Sequence, residues 1–197
     1  MLRKILIVSA ISSSAFMSLI AMADSVDSGF YFATSLGTSP ETDIDGIING
    51  TRFSTTSRST FGGGIGLGYD FDNSVRIESY LKSAKAEIDS VKVSGTKYSV
   101  DKNGTGVGVA LAIAYDFESD SKFTPYIEGS YGINWSDDAH DPSVTYGIAF
   151  GLSTPVAHFT ELWGGIGLAI TPKQTINSVS YDEATAWGFS TGLRIRI

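Results

Sequence analysis

The side chains that come closest to a chemical site in this sequence surround two histidines. The first, His140, stands among the acids Asp137, Asp138 and Asp141. Carboxylate oxygens and an imidazole in one loop could bind a cation. A solvated acidic loop explains the same residues, and we predict no metal site there.

The second histidine, His158, has Ser153 and Glu161 close to it in sequence. A serine, a histidine and a carboxylate are the parts of a hydrolase triad, but their spacing does not order these three along one face. We therefore interpret His158 as a turn residue. The glycine-rich run at 62–68 fits neither G-x-G-x-x-G nor the P-loop spacing, and no helix is predicted after it. The sequence thus predicts no catalytic residues and no cofactor, and we expect the protein not to be an enzyme.

The elements that must position any site are strands, because apolar residues recur with a period of two. Between residues 61 and 71, Ile65 and Leu67 share one face, while Gly64 and Gly66 share the other. Such alternation predicts a β-strand with two unlike faces. The same pattern predicts eight strands, near residues 30–36, 61–71, 75–81, 106–117, 126–135, 144–152, 161–170 and 186–197.

The connections between these strands alternate in length. Residues 72–74, 118–122 and 154–157 form short turns, whereas residues 39–59, 85–103, 136–142 and 171–183 form longer polar loops. The triplets Asn49-Gly50-Thr51 and Asn103-Gly104-Thr105 inside the loops are interpreted as turns. Short turns at one end and long loops at the other are typical of a membrane barrel. We predict an all-β fold, an eight-stranded antiparallel up-and-down transmembrane β-barrel.

Aromatic residues on the apolar face gather at the two ends of the predicted strands, as the two membrane interfaces require. We predict one girdle towards the long loops and one towards the short turns. The predicted girdle residues are Phe61, Trp135, Tyr146 and Trp187 at the loop end, and Phe30, Phe32, Tyr69, Phe71, Tyr115 and Phe117 at the turn end.

Charged residues on the opposite face lie near the short-turn end, and in a membrane barrel they would point into the lumen. Buried charges need partners, so we predict an ion-paired plug and no continuous aqueous channel. This predicted lumen charge cluster consists of Asp70, Arg76, Glu78, Asp116, Glu128, Glu161, Arg194 and Arg196. Glycines line the other half of the lumen, where we expect Trp163 to fill space in preference to an open cup.

The charge balance argues against a nucleic-acid partner, and the first residues predict that the protein is exported. Fourteen basic residues against 21 acids give a net charge of -7, so we expect no nucleic-acid partner. Residues 1–23 have the layout of a signal peptide, with Arg3 and Lys4, an apolar stretch, and the cleavage site Ala21-Met22-Ala23. The mature chain would begin at Asp24, with the barrel in residues 24–197. The sequence has no cysteine, so disulfides cannot stabilise it.

The stretch Gly66-Leu67-Gly68-Tyr69-Asp70-Phe71, followed by Arg76-Ile77-Glu78, resembles the opacity-type outer-membrane barrels, which are related to the OmpA and OmpX barrels. The stretch at 124–132, Thr-Pro-Tyr-Ile-Glu-Gly-Ser-Tyr-Gly, resembles a strand of the same family. The resemblance implies a monomeric outer-membrane barrel with variable outward loops that serve adhesion, host contact or envelope integrity. One departure is the ending Arg194-Ile195-Arg196-Ile197, where such barrels commonly have an aromatic residue.

From these observations we expect strands that anchor the protein and loops that carry any recognition of a host or surface ligand. Its expected partners are outer-membrane lipid, lipopolysaccharide and the outer-membrane assembly machinery. The alternatives are a narrow passive channel, a lipid-modifying barrel enzyme, and a soluble periplasmic β-barrel that binds a small ligand.

Overall fold

A computed structural model describes residues 28–71, 74–136 and 141–197, except for the side chain of Asp101, and they form one antiparallel sheet. The predicted signal peptide, residues 1–23, lies outside the described residues. The strands are β1 (Gly29–Ser39), β2 (Thr42–Ile48), β3 (Thr51–Asp70), β4 (Val75–Val93), β5 (Thr96–Asp116), β6 (Thr124–Ser136), β7 (Ser143–Ala157), β8 (Thr160–Thr171), β9 (Gln174–Ile176), β10 (Val179–Tyr181) and β11 (Ala184–Arg196).

Eight of these strands close into a barrel, which confirms the predicted fold. They are β1, β3, β4, β5, β6, β7, β8 and β11, and the circle closes because β1 pairs with β11 on one side and with β3 on the other. None of the described residues forms a helix long and apolar enough to cross a bilayer.

The barrel wall has an apolar outer face and a small or polar inner face. In β5, Leu111 and Ile113 are 50% and 55% exposed, whereas Ala112 and Ala114 between them are 3% exposed. Successive side chains of a strand point to opposite faces, so this alternation turns the aliphatic residues of the barrel wall outward. The structure is therefore inverted relative to a soluble barrel, whose apolar side chains fill the interior.

At one end of the barrel, which we call the lower end, the strands are joined by short connections. Two of them lie between β3 and β4 and between β5 and β6, as predicted. The third prediction, a turn at residues 154–157, is wrong. Those residues belong to β7, Ala157 pairs with Thr160, and the chain turns at His158 and Phe159 instead.

At the opposite, upper end, most of the predicted loop at 39–59 and all of that at 85–103 are ordered strands and tight turns. β2 pairs with β3, and β4 pairs with β5 beyond the barrel wall. Both hairpins end in two-residue turns with positive φ, at Asn49–Gly50 and at Ser94–Gly95, the geometry that suits the twist of paired strands.

The two Asn-Gly-Thr triplets have different structures. Asn49 and Gly50 form a turn, as predicted. Asn103 and Gly104 do not, since they lie inside β5 opposite Glu87 and Ala86.

The predicted loop at 171–183 contains a third hairpin, β9–β10. β10 pairs with β2, so that β9, β10 and β2 continue into the projecting parts of β3, β4 and β5. We call this six-stranded layer the upper sheet; it consists of β9, β10 and β2 with residues 51–59, 87–93 and 96–103.

The upper sheet has its own apolar cluster. Ile44, Phe53, Ile176, Val179 and Tyr181 are each at most 3% exposed and pack together with Ala184. The rings of Phe53 and Tyr181 meet edge to face at 5.8 Å between centroids, and burial raises the pKa of the Tyr181 hydroxyl above its ordinary value. Burial of these side chains stabilises the sheet beyond the barrel wall.

Candidate functional site

The eight residues of the lumen charge cluster all point into the lower half of the barrel. Alternation along each strand puts them there, because apolar neighbours face outward. The side chains of Glu161 and Arg196 are 13% and 19% exposed. As whole residues, the other six are at most 4% exposed: Asp70, Arg76, Glu78, Asp116, Glu128 and Arg194.

Arg194, on β11, is the centre of the cluster. Its Nε donates to Glu78 Oε1 at 3.0 Å, and its Nη1 donates to Glu161 Oε2 at 2.9 Å. Its guanidinium carbon also lies 5.4 Å from the centroid of Tyr31 and 5.9 Å from that of Trp163, within range of a cation–π interaction. One side chain therefore joins β11 to β8, β4 and β1.

Glu78 receives two further hydrogen bonds, from tyrosines. The Tyr31 hydroxyl donates to Oε1 at 2.5 Å, and the Tyr80 hydroxyl donates to Oε2 at 3.0 Å. Both oxygens of this buried carboxylate are thus satisfied, which offsets the cost of removing it from water.

Two further ion pairs lie nearer the lower end. Arg76 donates through Nη1 to Asp116 Oδ2, and Arg196 donates through Nη2 to Asp70 Oδ2 at 2.8 Å. The first pair joins neighbouring strands, and the second joins β11 to β3 past β1. Arg76 Nε and Nη2, Asp116 Oδ1 and Arg196 Nη1 are buried without hydrogen-bond partners among the described residues. Water is the usual partner of such groups.

A fourth basic group in the lumen, Lys82, was not predicted from the sequence. Its ammonium lies 5.1 Å from the centroid of the Tyr80 ring, and Glu128 and Glu78 are close enough to act on it electrostatically. Lys82 follows Arg76, Glu78 and Tyr80 on the same face of β4, so the period of two could have identified it.

Trp163 fills the middle of the lumen, where it packs against Tyr126 and Ala149 and is 1% exposed. Gly192 makes this possible, since a Cβ there would overlap both the indole and the Thr34 carbonyl oxygen.

We expected Trp163 to fill the glycine-lined upper half of the lumen, and this prediction is wrong. A cleft remains there beside β4 to β7, and it is lined by Lys82, Gly108, Ser130, Asn134, Thr145 and Gly147.

Of the residues considered for a hydrolase triad, His158 and Glu161 line the same cleft at the lower end of the lumen, but each has another partner. His158 packs on Phe159, with 4.4 Å between ring centroids, and Glu161 binds Arg194. Ser153 Oγ has no hydrogen-bond partner in the described part of the chain.

The acidic loop considered for a cation is described only in part. Asp137, Asp138 and His140 lie outside the described residues. Asp141 accepts a hydrogen bond from the Asn177 backbone at 3.0 Å.

The predicted girdle residues lie on the outer face of the barrel, at its two ends. At the lower end Tyr69 contacts both Phe30 and Phe71, with 4.8 Å between centroids in each pair. Tyr69 is half-buried. The other nine are at least 38% exposed: Phe30, Phe32, Phe61, Phe71, Tyr115, Phe117, Trp135, Tyr146 and Trp187. Phe123 and Phe159 extend the lower ring and were missed because they belong to turns.

The outer face of the upper sheet carries charges of both signs, unevenly distributed. Arg58 donates to Asp89 at 2.5 Å, and Lys97 lies 3.9 Å from the same carboxylate. On β2, Asp43 accepts a hydrogen bond from Thr56 at 2.6 Å. Lysines thus cluster on β4 and β5, while β2 is acidic.

Comparisons with known proteins agree with this architecture. The family model described as "Outer membrane protein beta-barrel domain" matches residues 8–197. No curated protein sequence matches the chain.

Two solved structures are similar in fold. Neisserial surface protein A is 17% identical, with a TM-score of 0.57 over 87% of this chain and 100% of that chain. OprG from Pseudomonas aeruginosa is 14% identical, with a TM-score of 0.59 over 86% of this chain and 96% of that chain.

A lipid bilayer explains the apolar outer face, because exposed Leu, Ile and Val are stable in hydrocarbon and a closed barrel leaves no unpaired strand edge there. The charged lumen and the matched family model both agree with a membrane location. The chain therefore belongs to the outer membrane protein β-barrel family and is a protein of the outer membrane.

Proposed function

We propose that this protein is a surface recognition protein, which uses the upper sheet to bind a partner outside the cell in adhesion or host contact. Long connections of such barrels face the outside and short ones the periplasm, so the upper sheet would be extracellular. The lower ends of the strands would face the periplasm.

The observation that carries the proposal is the length of three strands. A membrane strand needs about 9–11 residues, and β8, β6 and β11 have 12, 13 and 13. β3, β4 and β5 have 20, 19 and 21 residues. About half of each long strand is therefore not needed for anchoring, and it forms an ordered layer with its own apolar cluster.

The proposal is tested by removing two of the six strands of the upper sheet, the projecting parts of β4 and β5, without disturbing the barrel. Ala86 and Gly104 pair across β4 and β5, so Asn-Gly in place of residues 87–103 would close the hairpin at that level. We expect this variant to keep the heat-modifiable migration of a folded barrel. Cells that display it should adhere less to host cells or matrix than cells with the full chain. Equal adherence of the two would contradict the proposal.

A narrow channel is a second candidate, favoured by the unpartnered polar atoms around Arg76 and Asp116 and by clefts at both ends of the lumen. Between the clefts lie Arg194, Glu78 and Trp163, all at most 2% exposed. This layer favours recognition over conduction, and conductance measurements separate the two.

A further inference from the structure

A pocket of about 290 Å³ lies on the outer face of the upper sheet, near the tips of its hairpins. We call it the distal pocket. Small-molecule sites have volumes of about 300–1,000 Å³, so this pocket has room for a small ligand or for one end of a larger one. Five exposed or half-buried polar residues line it: Asp45, Arg52, Ser54, Lys92 and Asp182.

The register of the strands puts four of these residues in one row. Asp45 lies opposite Ser54, and Ser54 lies opposite Lys92. The Asp182 backbone donates to the Asp45 carbonyl oxygen at 3.0 Å, and the Asp182 carboxylate binds Lys173 at 3.1 Å. Residues directly opposite one another share a face of the sheet. The backbones of Asp45 and Lys92 are two strand spacings, roughly 10 Å, apart, and the short side chain of Ser54 leaves the space between them open.

The charged groups beside Ser54 do not neutralise one another. Arg52 lies two residues before Ser54 on β3 and therefore on the same face. Within the part of the chain that the structure describes, the side chains of Asp45, Arg52 and Lys92 form no ion pair and no hydrogen bond. Two cations and one carboxylate thus remain available to a ligand.

The distal pocket offers little to an apolar ligand or to an extended peptide. Of the described residues that line it, Phe53 alone has an apolar side chain, and it is 3% exposed. The backbone of β3 is paired with β2 on one side and with β4 on the other. Affinity must therefore come from polar side chains. Arg52 and Lys92 only donate hydrogen bonds, the carboxylate of Asp45 only accepts them, and Ser54 does both.

We propose that the distal pocket binds a sugar that carries a carboxylate and is presented by the partner. The carboxylate would lie between Arg52 and Lys92, where a guanidinium can bind it through two hydrogen bonds. Ring hydroxyls would donate to Asp45 and bond with Ser54. A rigid sugar ring loses little conformational entropy when it binds. The inference rests on the proposed recognition function and names the chemistry that the partner presents.

The test uses the full chain, folded in a detergent without sugar headgroups, and an array of immobilised saccharides. The array carries saccharides that end in sialic acid or in a uronic acid, each beside the same saccharide with its carboxyl group reduced to an alcohol. One or more carboxylated saccharides should bind about tenfold more tightly than their reduced counterparts, because a charged hydrogen bond is lost on reduction. Equal binding of both forms, or no binding of any carboxylated saccharide, would overturn the inference.

Charge variants locate the site on the protein. Arg52→Gln combined with Lys92→Gln should abolish the preference for the carboxylated form, which a merely structural role would not change. Asp45→Asn should weaken both forms equally, since their hydroxyls are the same. The matched control is Asp43→Asn, because Asp43 is exposed on the same strand but accepts a hydrogen bond from Thr56. If the double variant keeps the preference, the sugar binds elsewhere and the inference is wrong.

A change of shape tests the pocket without a change of charge. Ser54→Tyr fills the space between Asp45 and Lys92 and should abolish binding. Thr56→Tyr lies two residues along the same strand, outside the pocket, and should not. Heat-modifiable migration shows whether both variants fold. If Ser54→Tyr leaves adherence intact and the 87–103 replacement abolishes it, this inference fails while the proposed function stands.

One further arm separates the two sources of such a sugar. Lipopolysaccharide from the producing strain is placed on the same array. Binding of this lipopolysaccharide in place of every other saccharide would assign the distal pocket to a neighbouring lipid and would contradict a partner outside the cell.

Discussion

Arg194 illustrates how single residues hold this barrel together. It is 2% exposed and sits between two carboxylates and two aromatic rings. A buried ion pair contributes little net energy compared with an apolar replacement of both partners, but removal of one partner leaves the other charge buried and uncompensated. The lumen charge cluster is therefore more sensitive to single changes than to matched double changes.

At this scale we expect Arg194→Met to destabilise the folded protein by about 3–5 kcal/mol, because Glu78 and Glu161 would both lose their cation. Guanidinium unfolding in lipid vesicles, followed by tryptophan fluorescence, measures the change. The matched control is Arg58→Met, whose exposed pair with Asp89 should contribute about 0–1 kcal/mol. Equal unfolding midpoints for Arg194→Met and the unchanged protein would contradict this account.

At the scale of elements, the eight barrel strands could be predicted from the sequence and the upper sheet could not. Ile65 and Leu67 alternate with glycines and mark one face of β3 clearly. Residues 51–59 of the same strand are polar on both faces except for Phe53, so the period of two is lost and the stretch resembles a loop. This stretch is a strand because it pairs with β2 on one side and β4 on the other, which the pattern of its own residues does not show.

The ion pairs of the lumen could likewise be predicted only in part from the sequence. Alternation predicts that Arg194 and Glu78 both face inward, but not that they meet, since the register between β4 and β11 depends on the whole barrel. Asn49-Gly50 and Asn103-Gly104 differ for a similar reason. One dipeptide ends a hairpin, and the other is held in a ladder by Glu87 and Ala86.

The absence of cysteine allows a direct test of where each end of the barrel lies. Lys97→Cys, on β5 of the upper sheet, should react with a membrane-impermeant maleimide on intact cells. Ser121→Cys, in an exposed lower connection, should react only after the outer membrane is permeabilised. Labelling of Ser121→Cys on intact cells would show that the orientation is reversed.

At the scale of the whole molecule, the lumen is divided into an upper cleft and a lower one by a buried layer. Arg194, Glu78, Tyr31, Tyr80 and Trp163 form this layer, and each is at most 3% exposed. An eight-stranded barrel has an interior only about wide enough for its own side chains. Water would have to displace an ion pair to pass through.

We therefore expect no steady ion steps from the purified protein in planar bilayers. Arg194→Ala combined with Trp163→Ala should produce them, since both side chains that separate the clefts are then removed. Well-resolved steps from the unchanged protein would favour the channel over the recognition function. Steps absent from both proteins would mean that other side chains also close the lumen.

The pairing of β1 with β11 also fixes an order of events. Tyr31 lies opposite Arg196, and β2 lies opposite β10, so both the barrel and the upper sheet join an early segment of the chain to a late one. Such distant contacts form slowly, and until β11 arrives, β1 and β8 each have an unpaired edge that invites aggregation. The barrel and the upper sheet are therefore both incomplete until the last strands of the chain pair with the first ones.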